Sequence, residues 1–181
     1  NTTNAKLAKA IAWRIRDTEG PIRGRDGKLL RDENGKLIRK VGRFTHCKAT
    51  GWTIEEYGCS QVTMNLTDWE TTSIHEVFDA CCELADELGV RVTGSEIVGL
   101  VPRASLTTAG AHYLTKQGAS PGAPAADLVD IAAKSLGLSD IVPFDPAQKI
   151  VEETLRDPSA LAEQTLNVFC DMTSASTPVP G

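Results

Sequence analysis

Gln61, Thr63 and Asn65 occupy every second position of a short segment and alternate there with apolar residues. Such alternation is typical of a half-buried strand, on which the three polar side chains would lie about 7 Å apart along one face. Amides and hydroxyls can both donate and accept hydrogen bonds. The row is therefore suited to orienting an amide-rich heterocycle without adding charge.

Ser95 and Glu96 follow Gly94 and could extend this polar row. They would add a hydroxyl and a carboxylate, and a carboxylate that accepts two hydrogen bonds can hold the amino edge of a heterocycle. The alternative is that all five polar residues face neighbouring helices or solvent. We take Gln61, Asn65 and Glu96 as the first candidates for ligand contact, with Thr63 and Ser95 after them.

Three histidines could act as an acid or a base: His46 in a strand, His75 in the first turn of a helix, and His112 in a later helix. The positive end of the helix dipole makes His75 the least suitable base. None has a carboxylate at a spacing that builds a dyad. We therefore expect structural roles for all three, with His46 the first suspect if this chain transfers protons.

Several classes of site are not indicated by the sequence. It contains neither GxxxxGK[ST] nor GxGxxG, and its five cysteines show no CxxC spacing and no zinc-ligand pattern with a nearby histidine. We expect no metal and a reduced, cytoplasmic protein. The net charge of −5 argues against a nucleic-acid partner, and no apolar run approaches the roughly 20 residues of a membrane span.

The polar residues are positioned by a predicted βαβ unit. The strand over 60–66 is followed by an apolar stripe of helical spacing from Ser73 to Leu88, with a capping box of Ser73 and Glu76 and a stop at Gly89. The segment from Val90 to Pro102 returns to β-branched residues, which predicts the second strand of the unit.

Further elements are predicted on both sides of this unit. A helix from Asn1 to Arg16 would be capped by Thr2 or Thr3, and a strand over 44–54 would form a hairpin with the strand over 60–66. Further helices are predicted over 104–113, 127–136, 145–155 and 159–171. The fold class is α+β, a ferredoxin-like split βαβ sheet with helices on one face and a helical C-terminal tail. Because the chain opens on a helix, we expect its first strand to lie outside it, or the sheet edge to stay open.

The segment 17–43 contains a short internal sequence repeat, which predicts a protruding charged hairpin. Residues 26–31 and 34–39 each combine a turn dipeptide with a brief apolar pair. Eight basic and three acidic residues between Pro21 and Arg43 give this part +5 and leave −10 for the rest of the chain. The hairpin is either a solvated arm or a cationic surface that attracts carboxylates.

Three strings in this chain, QVTMNLTDWE, TSIHEVFDAC and VTGSEIVGLVP, occur in an order and spacing that resemble a known family. It is the C-terminal subdomain of the formiminotransferase domain of glutamate formiminotransferases and formiminotransferase-cyclodeaminases. The resemblance implies such a subdomain over 1–155, with 17–43 as an insertion. It also implies a helical extension over 156–172, and a linker over 173–181 similar to the start of a cyclodeaminase domain.

The resemblance further implies half of an active site that moves a formimino group from N-formimino-L-glutamate to tetrahydrofolate, as in histidine degradation. This chain would grip the folate co-substrate, and Arg39 and Lys40 would attract its polyglutamate tail. The catalytic histidine of the family belongs to an N-terminal subdomain, whose motif no residue here matches. We expect that subdomain as a partner, a strand just before Asn1, an inactive isolated chain and a homo-oligomer.

The alternative is a non-catalytic, ferredoxin-like module that binds a regulatory ligand or dimerises. An open sheet edge would invite pairing with a second copy, and the same architecture serves many functions.

Overall fold

The computed structural model of the chain describes residues 1–156. In chain order the elements are α1 (Ala5–Ile15), β1 (Thr18–Pro21), β2 (Arg39–Val41), β3 (Cys47–Ile54), β4 (Cys59–Leu66), α2 (Ile74–Glu87), α3 (Arg103–Lys116), α4 (Ala125–Ser135), α5 (Pro146–Lys149) and α6 (Val151–Thr154). β1 pairs with β2 and β3 with β4, so this part of the chain is a mixed helix and strand protein with two small antiparallel sheets. None of its helices is long and apolar enough to cross a membrane. The predicted helix over 159–171 and the linker over 173–181 lie outside the described residues.

The β3–β4 hairpin is regular, with one-to-one pairing from Cys47 opposite Leu66 to Ile54 opposite Cys59. The predicted strand over 44–54 is too long at its start, because His46 has a φ of 55° and extended backbone begins only after it. α1 also begins later than predicted. Asn4, rather than Thr2 or Thr3, is its N-cap and accepts the backbone N–H of Lys6 at 3.1 Å.

A first core lies between the hairpin and two helices. α1 and α2 pack on one face of the hairpin, where Cys47 and Ala49 are buried and Val62, Met64 and Leu66 are partly buried. Gly51 lets α1 approach closely, since a Cβ there would lie 2.4 Å from backbone atoms of Ala8 and Lys9. On the opposite face of β3, Lys48, Thr50 and Trp52 are exposed.

A second core is formed by α3 and α4 together with residues from the segments that follow α2 and α4. α3 and α4 meet at Gly110, where an added Cβ would lie 2.1 Å from the carbonyl oxygen of Leu128. α2 joins the two cores because Ile74 and Phe78 pack against the second one. The predicted start and stop of α2 are confirmed: Ser73 and Glu76 form the capping box, and Gly89 follows with a φ of 70°.

The predicted second strand of the βαβ unit, over 90–102, is wrong for the described part of the chain. Its backbone groups bond elsewhere: Arg91 exchanges hydrogen bonds with Asn1, and Ser95 donates to the carbonyl of Gly137. Only Val101 makes a bridge, parallel to Ile150. β-Branched residues favour extended backbone, but a strand also needs a neighbouring strand, and none reaches this segment within residues 1–156.

The helix predicted over 145–155 is interrupted for a related reason. Ile150 has φ −100° and ψ 123° because it pairs with Val101, so the helix divides into α5 and α6. The short helix predicted over 104–113 extends further at its C-terminal end, since α3 continues to Lys116.

The charged arm, residues 17–43, has two successive turns instead of a single hairpin turn. Gly27 and Gly35 have φ values of 79° and 77°, as the repeated turn dipeptides suggest. Three residues spaced eight apart close a ring of backbone hydrogen bonds: Ile22 donates to Ile38, Ile38 to Leu30, and Leu30 to Ile22. The β1–β2 pair forms the base of the arm.

Candidate functional site

The polar face of the β3–β4 hairpin brings the sequence-predicted row together with residues of the neighbouring strand. The register places Trp52 opposite Gln61, Thr50 opposite Thr63, and Lys48 opposite Asn65. Because side chains alternate along a strand, all six lie on the side of the hairpin opposite the buried Cys47 and Ala49. We call these six residues the hairpin face.

Gln61 is the centre of a hydrogen-bonded network on the hairpin face. Its amide nitrogen donates to Glu96 Oε1 at 2.7 Å, as a charge-assisted hydrogen bond. Its amide oxygen accepts from the indole nitrogen of Trp52 at 3.3 Å and from the hydroxyl of Thr63 at 3.4 Å. The amide is thus fixed in one orientation, and Glu96 is held beside the hairpin face with its second carboxylate oxygen unpaired within residues 1–156.

Two of the five predicted ligand residues, Asn65 and Ser95, do not take part in this hydrogen-bonded network. Asn65 is exposed opposite Lys48, and neither side chain has a hydrogen-bond partner in the described range. Ser95 does not face the hairpin, because its hydroxyl donates to the carbonyl of Leu136 at 2.7 Å. The hydroxyl of Ser95 ties the segment before Glu96 to the end of α4, and contact of Ser95 with a ligand stays a prediction.

Sequence reasoning missed Lys48, Thr50 and Trp52 as members of this face. The signal was present, since small core residues alternate with these three along β3. An antiparallel register drawn from the predicted turn would have placed each opposite a residue of the row.

A second polar cluster lies where α2 meets α3. Asp79 accepts hydrogen bonds from His112 at 3.1 Å, from the hydroxyl of Tyr113 at 3.2 Å and from Lys116 at 2.8 Å. The rings of His75 and His112 are stacked with their centroids 4.3 Å apart. The sequence showed no carboxylate at a dyad spacing from any histidine, and the partner of His112 is instead a residue 33 positions away. Since α2 packs on the apolar side of the hairpin, this cluster is not part of the hairpin face.

The hydrogen bonds around His75 show which of its two ring nitrogens carries the proton. The hydroxyl of Ser73 donates to Glu76 at 2.6 Å, so it accepts from His75 Nε2, which lies 3.2 Å away. Nδ1 of His75 is then an unprotonated acceptor, buried without a partner in the part of the chain described. Burial, followed by the nearby His112, lowers the pKa of His75. The lowered pKa favours the neutral ring, so His75 is poorly suited to gain a proton.

This arrangement predicts a pH-dependent stability. The folded pKa of His75 lies below its ordinary 6.5, so the unfolded chain binds the proton more readily. The stabilisation is complete above about pH 6.5 and decreases as the pH falls toward the folded pKa. Urea unfolding at about pH 7.5 and about pH 5.5 should show a smaller free energy of unfolding at the lower pH. Ser73, His112 and Tyr113 contact the His75 ring, and the charges of Glu76 and Asp79 act on it.

His75→Gln should reduce this decrease in the free energy of unfolding, because the group whose pKa differs between the folded and unfolded chain is then removed. An equal decrease in the wild type and in His75→Gln would contradict this assignment.

The charged arm leaves the body of the protein next to the hairpin face. Asp17 donates its backbone N–H to the carbonyl of Cys47 at 2.7 Å, directly before Lys48. Arg39 and Lys40, the predicted polyglutamate contacts, lie in β2 at the base of the arm and are exposed.

Residues 1–156 show neither a reactive thiol at Cys47 or Cys81 nor a metal-binding group of side chains. Burial raises the pKa of Cys47 to about 11 and that of Cys81 to about 12, so both are poor nucleophiles. No group of three or more His, Cys, Asp or Glu side chains in this range could hold a metal ion.

Comparison with known proteins identifies the family. The protein-family model described as formiminotransferase domain matches residues 1–156 of this chain. The chain belongs to the formiminotransferase family. This confirms the resemblance inferred from the three sequence strings.

Relatives of this formiminotransferase chain have two kinds of name. It is 37% identical over 153 residues to a formimidoyltransferase-cyclodeaminase of Dictyostelium discoideum and 32% identical over 152 residues to that of Rattus norvegicus. Each match covers 82% of this chain but 28% of the relative, so the chain spans less than a third of their length. It is also 36% identical over 80 residues to a glutamate formimidoyltransferase of Streptococcus pyogenes, 44% of this chain and 27% of the relative.

Proposed function

We propose that this formiminotransferase chain forms the folate-binding wall of a glutamate formimidoyltransferase. The observation that carries the proposal is the bond between Gln61 and Glu96, which holds a carboxylate beside an open sheet face next to an exposed tryptophan. A pterin ring has an amino group and a ring N–H on adjacent atoms, and a carboxylate can accept from both. Thr63 and Asn65 then offer hydrogen bonds to the rest of the ring, and Ser95 positions Glu96.

The proposed reaction requires two small molecules to meet in a cleft. N5 of tetrahydrofolate attacks the formimidoyl carbon of N-formimino-L-glutamate. The new N5–C bond forms, the bond from that carbon to the glutamate nitrogen breaks, and the proton lost by N5 ends on the departing amine. This chain contributes proximity and orientation by fixing the folate. We propose that proton transfer comes from an N-terminal subdomain of the same enzyme.

An activity assay separates these roles. The chain alone should form no 5-formiminotetrahydrofolate from the two substrates, whereas adding the N-terminal part of a glutamate formimidoyltransferase should restore some turnover. Robust turnover by the chain alone would place the base within it, and His46→Gln would be the first variant to test. Saturable binding of free amino acids without any folate binding would favour a regulatory module instead.

We further propose how the chain is completed in its parent. The extended segment 90–102, which has no sheet partner within the described residues, joins a ferredoxin-like sheet whose remaining strands come from outside the chain. The names of the relatives support a parent of the bifunctional type, with a cyclodeaminase domain after the linker over 173–181. We also propose that this parent is a cytoplasmic homo-oligomer acting in histidine degradation.

The arm supplies a test of polyglutamate recognition. Arg39→Glu combined with Lys40→Glu should weaken binding of a folate polyglutamate about 10-fold and leave the monoglutamate unchanged, because only the longer tail carries charges toward the arm. Isothermal titration with both ligands at low and high salt measures this, and salt should reduce the difference.

Lys6→Glu combined with Lys9→Glu is the matched control, since it makes the same charge change on the exposed side of α1. Equal losses for both tail lengths, or the same loss in the control, would rule out a specific role for the arm.

A further inference from the structure

We propose that Trp52 stacks on the bicyclic ring of the folate and that Lys48 binds the carboxylate end, so that the ligand lies lengthwise on the hairpin face. This proposal rests on the proposed function and adds an orientation to it. The ring would lie at the end of the face near the β3–β4 turn, and the glutamate tail would run toward the start of β3.

Trp52 is suited to stacking because of the way its ring is held. Its side chain is half exposed, at 50%, but Trp13 on α1 is exposed to the same degree, so exposure alone decides nothing. Trp52 differs because its indole N–H is bonded to the Gln61 amide oxygen, while the same amide binds Glu96. The bond uses the edge of the ring and fixes its position, and it leaves the π-faces without a hydrogen bond. A preorganised aromatic plane beside a carboxylate suits a flat, amino-substituted heterocycle.

Lys48 is suited to bind the carboxylate end because of its charge and its distance from Trp52. It lies four residues before Trp52 on the same face of β3, which corresponds to about 13 Å along the strand. Its ammonium group is exposed and has no ion-pair partner among residues 1–156. An extended ligand with a ring at one end and a carboxylate at the other would therefore reach both residues.

The charge distribution along the hairpin fixes the direction. Glu55 and Glu56 are exposed in the turn between β3 and β4, and would repel an anionic tail that pointed that way. At the opposite end, the arm is hydrogen-bonded to β3 at Cys47, directly before Lys48, and its residues 17–43 carry a net charge of +3. The tail is thus favoured at the Lys48 end.

Two probes distinguish the two contacts: 5-formyltetrahydrofolate, and a tetrahydropterin that lacks the benzoylglutamate tail. Trp52→Ala should weaken both probes by about 5- to 150-fold, because a stacked ring contributes about 1–3 kcal/mol. Lys48→Gln should weaken only the tailed probe, by about 3- to 10-fold. Trp52→Phe should recover part of the affinity, and Trp13→Ala and Lys9→Gln should bind both probes like the wild type.

The outcomes separate this inference from the proposed function. If the wild type binds neither probe, the folate-binding function itself is wrong. If the wild type binds the tailed probe and both Trp52 variants, shown to be folded by circular dichroism, bind it equally well, the stacking role is overturned. If Lys48→Gln weakens the tail-free probe as much as the tailed one, the orientation is overturned.

Discussion

Glutamine in place of Glu96 is expected to weaken binding of 5-formyltetrahydrofolate by about 10- to 100-fold. A hydrogen bond to a charged group contributes about 1.5–3 kcal/mol, and each 1.4 kcal/mol changes affinity tenfold. The replacement keeps the size of the side chain and an oxygen that can still accept from Gln61, so the hairpin network is preserved. The replacement removes the negative charge and one of the two acceptors proposed to bind the pterin ring. Isothermal titration of the variant and the wild type measures the difference.

Glu56→Gln is the matched control for this change, because it removes the same charge from the exposed turn of the hairpin. It should leave the affinity for the monoglutamate ligand within about twofold of the wild type. A similar loss in both variants would mean that the overall charge of the chain governs binding. Unchanged affinity in Glu96→Gln would show that the Glu96 carboxylate does not contribute to ligand binding.

Gly110→Ala is expected to lower the free energy of unfolding by about 3 kcal/mol, the largest stability change that we predict. The new Cβ would lie 2.1 Å from the carbonyl oxygen of Leu128, so α3 and α4 must separate in the middle of the second core. Overpacking of this kind costs about 1–3 kcal/mol or more, and the contact is with backbone that cannot rotate away. Alanine would otherwise favour a helix by about 1 kcal/mol, so the steric effect must exceed that gain.

Urea unfolding followed by circular dichroism measures this effect. Gly122→Ala is the control, since its Cβ would meet no atom closer than 3.5 Å, and its free energy of unfolding should change by less than about 0.5 kcal/mol. A Gly110→Ala variant as stable as the wild type would show that α3 and α4 do not pack as closely as the structure places them.

The β3–β4 hairpin divides two tasks between its faces. Gly51 and its buried neighbours allow α1 to pack directly on the backbone, and this fixes the sheet. The other face is then free to present polar side chains on a rigid support, which is what precise ligand contact requires. Trp52 and Gln61 illustrate the result, because neither takes part in the core and each holds the other in place.

Local patterns in the sequence predicted the elements that depend on neighbours in the chain. The capping box of Ser73 and Glu76 and the stop at Gly89 act within a few residues, so the helix they bound is confirmed. The alternation of Gln61, Thr63 and Asn65 likewise placed them on one face, since a strand repeats every two residues.

Features that depend on distant parts of the chain could not be predicted in this way. His112 and Asp79 are 33 residues apart and meet only because α3 packs beside α2. Ser95 looked free in the sequence, but its hydroxyl bonds to Leu136, 41 residues away. The interruption at Ile150 arises from its bridge to Val101, which no helical pattern in residues 145–155 could reveal.

Amide hydrogen exchange of the chain, with and without 5-formyltetrahydrofolate, shows whether the folate lies on the hairpin face. We expect saturable binding, with slower exchange in β3, in β4 and in the segment around Glu96, and little change where α2 meets α3. Binding that protects only the region of Asp79 and His112, or no binding at all at millimolar ligand, would contradict the claim that the hairpin face is the folate-binding wall.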